Sequence, residues 1–122
     1  MAIRKRYLGS IVCLDVDGRL VMGGQDGALR DEVNRLFLKG HRHILLNLRD
    51  VSQVDTSGIA ALTAVRAAAE GYGGTIKLLN LPRRIYDLLV ITKLITAFEV
   101  FDSEVDALGS YSPNAGVQDV TD

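Results

Sequence analysis

Tryptophan is absent from this chain, and only 6% of its residues are aromatic. It has one cysteine, Cys13, so no internal disulfide can form and nothing points to an oxidising compartment. Neither sign of charge dominates: 14 basic residues face 15 acidic ones, for a net charge of −1. A direct nucleic-acid binder is normally basic and carries a cationic stripe, so none is expected here. No apolar run reaches the length of a membrane span. The basic cluster in "MAIRKRYLGS" is not followed by the apolar region of a signal peptide. The expectation is a soluble, cytoplasmic chain without membrane association. There is no Cys/His cluster with zinc spacing, and neither metal nor cofactor is expected.

What is present is enough apolar material for one packed domain: 122 residues, 48% of them hydrophobic. "IVCLDVDGRL" alternates, with Val12, Leu14 and Val16 on one face and Cys13, Asp15 and Asp17 on the other. A short strand over residues 3–7 precedes it across "LGS", and Gly18 suggests a bulge or bend. "VMGGQDG" reads as a loop. Leu29, Val33, Leu36 and Phe37 then recur at helical spacing, and Gly40 stops that helix. "HILLNL" reads as an interior strand. A helix follows from about residue 58 to residue 70, with Ile59, Leu62, Val65 and Ala69 on one side. "TIKLLNL" is another strand. Pro82 opens the helix "RRIYDLLV", whose buried side is Ile85, Leu88 and Leu89. "AFEVF" is a last short strand. Asp102 or Ser103 caps a final helix, and Ser103 with Asp106 has capping-box spacing. Residues 111–122 read as a flexible polar tail behind a domain of residues 1–110. Strands alternating with helices imply an α/β fold built on a mostly parallel sheet.

The junction "VDTSG", residues 54–58, stands between the apolar strand and the helix. Asp, Ser and Thr are preferred helix caps, and a helix start also favours anions. Cap and chemistry are both open on pattern alone. Hydrolysis is disfavoured. Ser57 is not in G-x-S-x-G, and "DTSG" is not the D-T-G of an aspartic protease. "GGQDG" lacks the Gly-Lys-Ser/Thr of a P-loop. His41 and His43 precede the strand that leads to Ser57, so they belong at its far end, and no base would activate Ser57. As a substrate rather than a nucleophile, Ser57 would gain nearly two negative charges on phosphorylation, close to Asp55. "RKR" at residues 4–6 reads as a solvated strand edge, and Arg83 and Arg84 as solvent-facing.

"HILLNLRDVSQVDTSGIAAL" resembles the signature of STAS domains, specifically the anti-sigma factor antagonists, and "GGTIKLLNLPRRIYDLLVITKL" is similar to its continuation. The resemblance implies the STAS fold: a mostly parallel or mixed sheet of four to five strands with about four helices. It implies a phospho-regulated binding module, not an enzyme. Ser57 is the phosphorylated position. Asp55, Thr56, Ser57, Gly58 and Asp26 belong to the partner surface. The implied partners are an anti-sigma factor serine kinase, which binds the unphosphorylated chain and so releases a sigma factor, and a protein phosphatase that resets it. ATP and magnesium belong to the kinase. Arg19 and Val21 stand where the family often has Glu and Asp, and Lys93 where it commonly has Gly. The changed loop motivates an alternative, a non-catalytic STAS scaffold subunit of a larger signalling complex. A small-ligand or nucleotide binder, motivated by the helix ends and the Gly-rich loop, ranks below both.

Overall fold

The computed structural model describes residues 2–111. Strands β1 (Ala2–Leu8) and β2 (Ile11–Leu20) form a hairpin. They are followed by α1 (Asp26–Leu38), β3 (His43–Val54), α2 (Thr56–Tyr72), β4 (Thr75–Leu79), α3 (Arg83–Ile91), a short 3-10 turn, β5 (Val100–Phe101) and α4 (Glu104–Ser110). The five strands form one sheet in the order β1-β2-β3-β4-β5. β1 is antiparallel to β2, and the other pairs are parallel. The expected α/β element order is the observed one.

Alternation along β2 divides the core. Val12, Leu14 and Val16 join Ile44, Leu46 and Leu78 beneath α1, α2 and α3. Ile11 and Cys13 join Leu45 and Leu79 on the other face, under Ala107 of α4 and Tyr111. Three helices therefore cover one face, and the seven-residue α4 covers only part of the other. α4 is held at both ends. Ser103 Oγ accepts from the Asp106 N–H, so Ser103 and not Asp102 is the cap. At the far end the buried Lys77 ammonium donates to the Ser110 carbonyl at 3.1 Å and stands over the Tyr111 ring. Tyr111, the first residue of the expected tail, is 6% exposed and donates its hydroxyl to the Ile44 carbonyl. Residues 112–122 lie outside the described residues.

Helix ends follow local chemistry. α1 closes with Gly40 at φ 100°, its N–H bonded to the Phe37 carbonyl and that of His41 to Leu36. α3 closes with the same pair of bonds, but Lys93 holds the left-handed position at φ 63°. A left-handed residue of this kind suits glycine, and here a lysine side chain strains it. β3 runs beyond the apolar "HILLNL" to Val54, because Asp50, Val51, Gln53 and Val54 still pair with β2. Its register slips twice, between Asp15/Asp17 and between Gly18/Arg19 of β2. "AFEVF" is a strand only at Val100–Phe101, since residues 95–97 form the 3-10 turn.

Candidate functional site

The end of β3 and the start of α2 lie at the carboxyl edge of the parallel strands, beside the loop that follows β2. Leu20 pairs with Val54, and the Asp55 N–H donates to the Leu20 carbonyl. Asp55 is the N-cap of α2. One carboxylate oxygen accepts from the Gly58 N–H at 3.1 Å, and the other accepts from the Met22 N–H at 3.3 Å. A single side chain thus caps the helix and ties down the neighbouring loop. That loop closes on itself, with Gly24 N–H on the Val21 carbonyl and Gln25 N–H on the Arg19 carbonyl, both at 2.8 Å.

Helix α2 begins at Thr56, two residues before the expected start, because Asp55 takes the capping role. Thr56 is exposed, Ser57 half-buried and Gly58 buried. Among the described residues neither the Thr56 nor the Ser57 hydroxyl is engaged in a hydrogen bond. Gly58 is demanded by packing: a Cβ there would stand 2.0 Å from the Leu20 carbonyl oxygen and 2.8 Å from Val54 Cγ2. Asp55, Thr56, Ser57 and Gly58 therefore form one turn. Asp26 lies at the start of the adjacent helix and faces Arg30 at 3.9 Å.

Beside the turn, a largely apolar groove of about 540 Å³ opens between α2 and α3, with Thr56, Ile59, Ala60 and Leu88 in its walls. Met22 is 78% exposed and Ile91 74% exposed. The histidines lie elsewhere. His43 opens β3, so a strand of 12 residues, roughly 35 Å long, separates it from the Ser57 turn. Its Nδ1 is 3.0 Å from Thr75 Oγ1. Burial, and then the Lys77 charge, lower its pKa.

A second polar cluster, on the sheet face only partly covered by α4, was not read from the sequence. Arg6 Nε and Nη2 grip Asp15 at 2.7 and 3.0 Å, and Arg6 Nη1 and Nη2 reach Glu104 at 3.1 and 2.8 Å. Asn47 donates to Asp15, and Asn80 donates to Asn47. Burial works against the Asp15 carboxylate, but Arg6 and Asn47 outweigh it and lower its pKa. Hydrogen bonding from Arg6 lowers that of Glu104. The Cys13 thiol beneath is pushed up to about 12, chiefly by burial. "RKR" is therefore not simply a solvated edge: Arg6 joins this cluster, and Lys5 pairs with Glu32 of α1 at 3.0 Å. Arg4, at 79% side-chain exposure, does face solvent, and so do Arg83 and Arg84. Two signals mark the cluster: Asp15 inside an apolar strand, and the repeated "LLNL", whose two asparagines meet each other.

No described helix is long and apolar enough to cross a membrane. No curated protein matches the chain in sequence. Among solved structures, a Thermotoga maritima protein described as a candidate anti-sigma factor antagonist superposes with a TM-score of 0.80 at 19% identity, over 87% of this chain and 91% of that one. The Bacillus cell fate determinant SpoIIAA in its phosphorylated form gives 0.70 at 18% identity, over 88% and 96%. A sulfate transporter family protein from Wolinella succinogenes gives 0.67 at 21%, over 84% and 86%. At these identities the likeness carries the fold, a five-stranded mixed sheet with four helices. The family model described as STAS domain matches residues 2–107, and the chain belongs to the STAS domain family.

Proposed function

We propose that this chain is an anti-sigma factor antagonist, a binding module switched by phosphorylation of Ser57. The observation that carries the reading is the division of labour in the "DTSG" turn. Asp55 alone does the capping, which leaves the Ser57 hydroxyl without a structural task. A serine kept only as a cap would bond the helix N–H groups itself. A phosphate at the second residue of α2 adds about −1.5 to −2 charges. The helix dipole tolerates them, so the fold survives, while any surface docked over the turn meets a new charge. Two solved structures of similar fold are SpoIIAA in a phosphorylated and an unphosphorylated form.

The partners on this reading are an anti-sigma factor serine kinase and a protein phosphatase, with Asp55, Thr56, Ser57, Gly58 and Asp26 on the shared surface. The chain itself performs no catalysis and works in the cytoplasm. The test is incubation with ATP, magnesium and each histidine-kinase-like serine kinase of the source genome, read by intact mass. One added phosphate, kept in Thr56→Ala and lost in Ser57→Ala, supports the proposal. No added phosphate with any kinase rejects it and favours a scaffold subunit of a signalling assembly. A phosphate lost instead in Thr56→Ala moves the switch to the neighbouring hydroxyl.

A further inference from the structure

The polar cluster under β1–β4 is not needed by the Ser57 reading, and it borders an open cavity of about 330 Å³. That volume lies in the range of small-molecule sites. Its floor is already hydrogen-bonded: Asp15 is held by Arg6 and Asn47, and Asn47 by Asn80. An ion network of this kind confers no more stability than apolar residues of the same size. Stability alone therefore does not account for it.

Two departures from regular backbone add polar side chains to this cavity. Asp15 pairs with Asn47 and Asp17 with Asp50, so β3 carries an extra residue there. The bulge leaves Arg49 and Asp50 both exposed, side by side on the cavity wall. Bulges beside functional sites re-aim side chains in this way. Asn80 holds a left-handed backbone at φ 57°, directly after β4, and it too lines the cavity. Such conformations cluster at functional sites.

The side chains around the rim have spare capacity of both signs. Among the described residues, no hydrogen bond or ion pair engages the side chains of Arg49, Asp50 or Asp102. Arg4 makes only a long pair to Asp15 at 3.6 Å while 79% exposed. Two guanidinium groups suit a carboxylate, to which each can donate twice. Two free carboxylates suit an ammonium group. A plain anion would leave Asp50 and Asp102 repelling it, and a plain cation would face Arg4 and Arg49.

We infer that this cavity is a binding site for a small zwitterion of the amino-acid type, its carboxylate toward Arg4 and Arg49 and its ammonium toward Asp50 and Asp102. The site is separate from the Ser57 turn and stands or falls independently of the switch.

The test uses the full chain. The twenty common amino acids are screened by thermal shift, and the best is titrated while amide correlation spectra are recorded. The expected result is saturable shifts centred on residues 49, 50, 80 and 102, with a midpoint in the millimolar range or below. Arg49→Ala weakens binding at least about tenfold and Asp102→Asn at least about threefold. Both sites are on the surface, so both variants keep native spectra. Acetate and ethylamine, the two halves of the ligand, each bind at least about tenfold more weakly than the whole. Ser57→Ala binds unchanged. Absence of saturable shifts at these residues with every amino acid overturns the inference. So does acetate binding as well as the amino acid, or an affinity unmoved by Arg49→Ala.

Discussion

Gly58→Ala separates two opposed expectations. Gly58 is the third residue of α2, and in a free helix alanine there would gain about 1 kcal/mol over glycine. The packing opposes this. The new methyl would lie 2.0 Å from the Leu20 carbonyl oxygen, 2.8 Å from Val54 Cγ2 and 3.1 Å from the Leu20 carbonyl carbon. At the Leu20 oxygen it falls more than about 1 Å short of contact distance, and that obstacle is β2 backbone, which cannot rotate away. The start of α2 must move off the sheet. Overpacking of this kind costs about 1–3 kcal/mol. The movement also pulls the Gly58 N–H off Asp55, and a lost cap costs about 1 kcal/mol more. The Asp55 bond to Met22 is strained with it. Set against the gain of about 1 kcal/mol in helix propensity, the net expectation is a loss of about 1–3 kcal/mol, or roughly 5–15 °C in melting temperature for a domain of this size. Gly71→Ala is the control. Gly71 sits in the same helix with nothing within 4 Å of its added Cβ, so alanine there stabilises by about 0.5–1 kcal/mol. Urea and thermal unfolding of both variants settle the matter. If Gly58→Ala is as stable as the parent or more so, the close approach of α2 to β2 is wrong.

Asp55→Ala removes the bonds to Gly58 and Met22 together; it should cost about 1–2 kcal/mol and speed hydrogen exchange of the Met22 amide. Lys93→Gly should stabilise by about 0.5 kcal/mol, because relief of a left-handed side-chain residue, about 1–2 kcal/mol, outweighs the added freedom of the unfolded chain; denaturant midpoints measure it. His43 has a pKa lowered from the ordinary 6.5 by burial and Lys77. The unfolded chain therefore takes the proton first, and the stability that His43 contributes is present above pH 6.5 and lost as pH falls toward the lower folded value. His43→Gln should flatten the unfolding free energy over that interval.

The fold was legible because its signals are local. Val12, Leu14 and Val16 share a face by the period of a strand, and Leu29, Val33, Leu36 and Phe37 by that of a helix, so the core followed from spacing. The boundaries were less legible. β3 outlasts its apolar run since Asp50, Val51, Gln53 and Val54 owe their pairing to β2 and not to their own composition. The Ser57 turn was readable as a motif, but not the identity of its cap. Asp, Thr and Ser all suit that role, and only the extended backbone of Asp55 decides between them. Asp15 inside an apolar strand and the repeated "LLNL" left a trace of the second cluster, but the link from Arg6 to Glu104 was out of reach. Arg6 and Glu104 lie 98 positions apart, and nothing in "RKR" says that Arg6 turns toward a distant helix while Arg4 faces water.

The central claim is that phosphorylation of Ser57 governs a partner. The direct measurement is the dissociation constant between the active kinase and this chain, taken unphosphorylated and then fully phosphorylated, at one salt concentration. A charge introduced into a closed interface without a countercharge costs about 3–5 kcal/mol, so the phosphorylated chain should bind at least about a hundredfold more weakly. Equal affinity for the two forms would contradict the account.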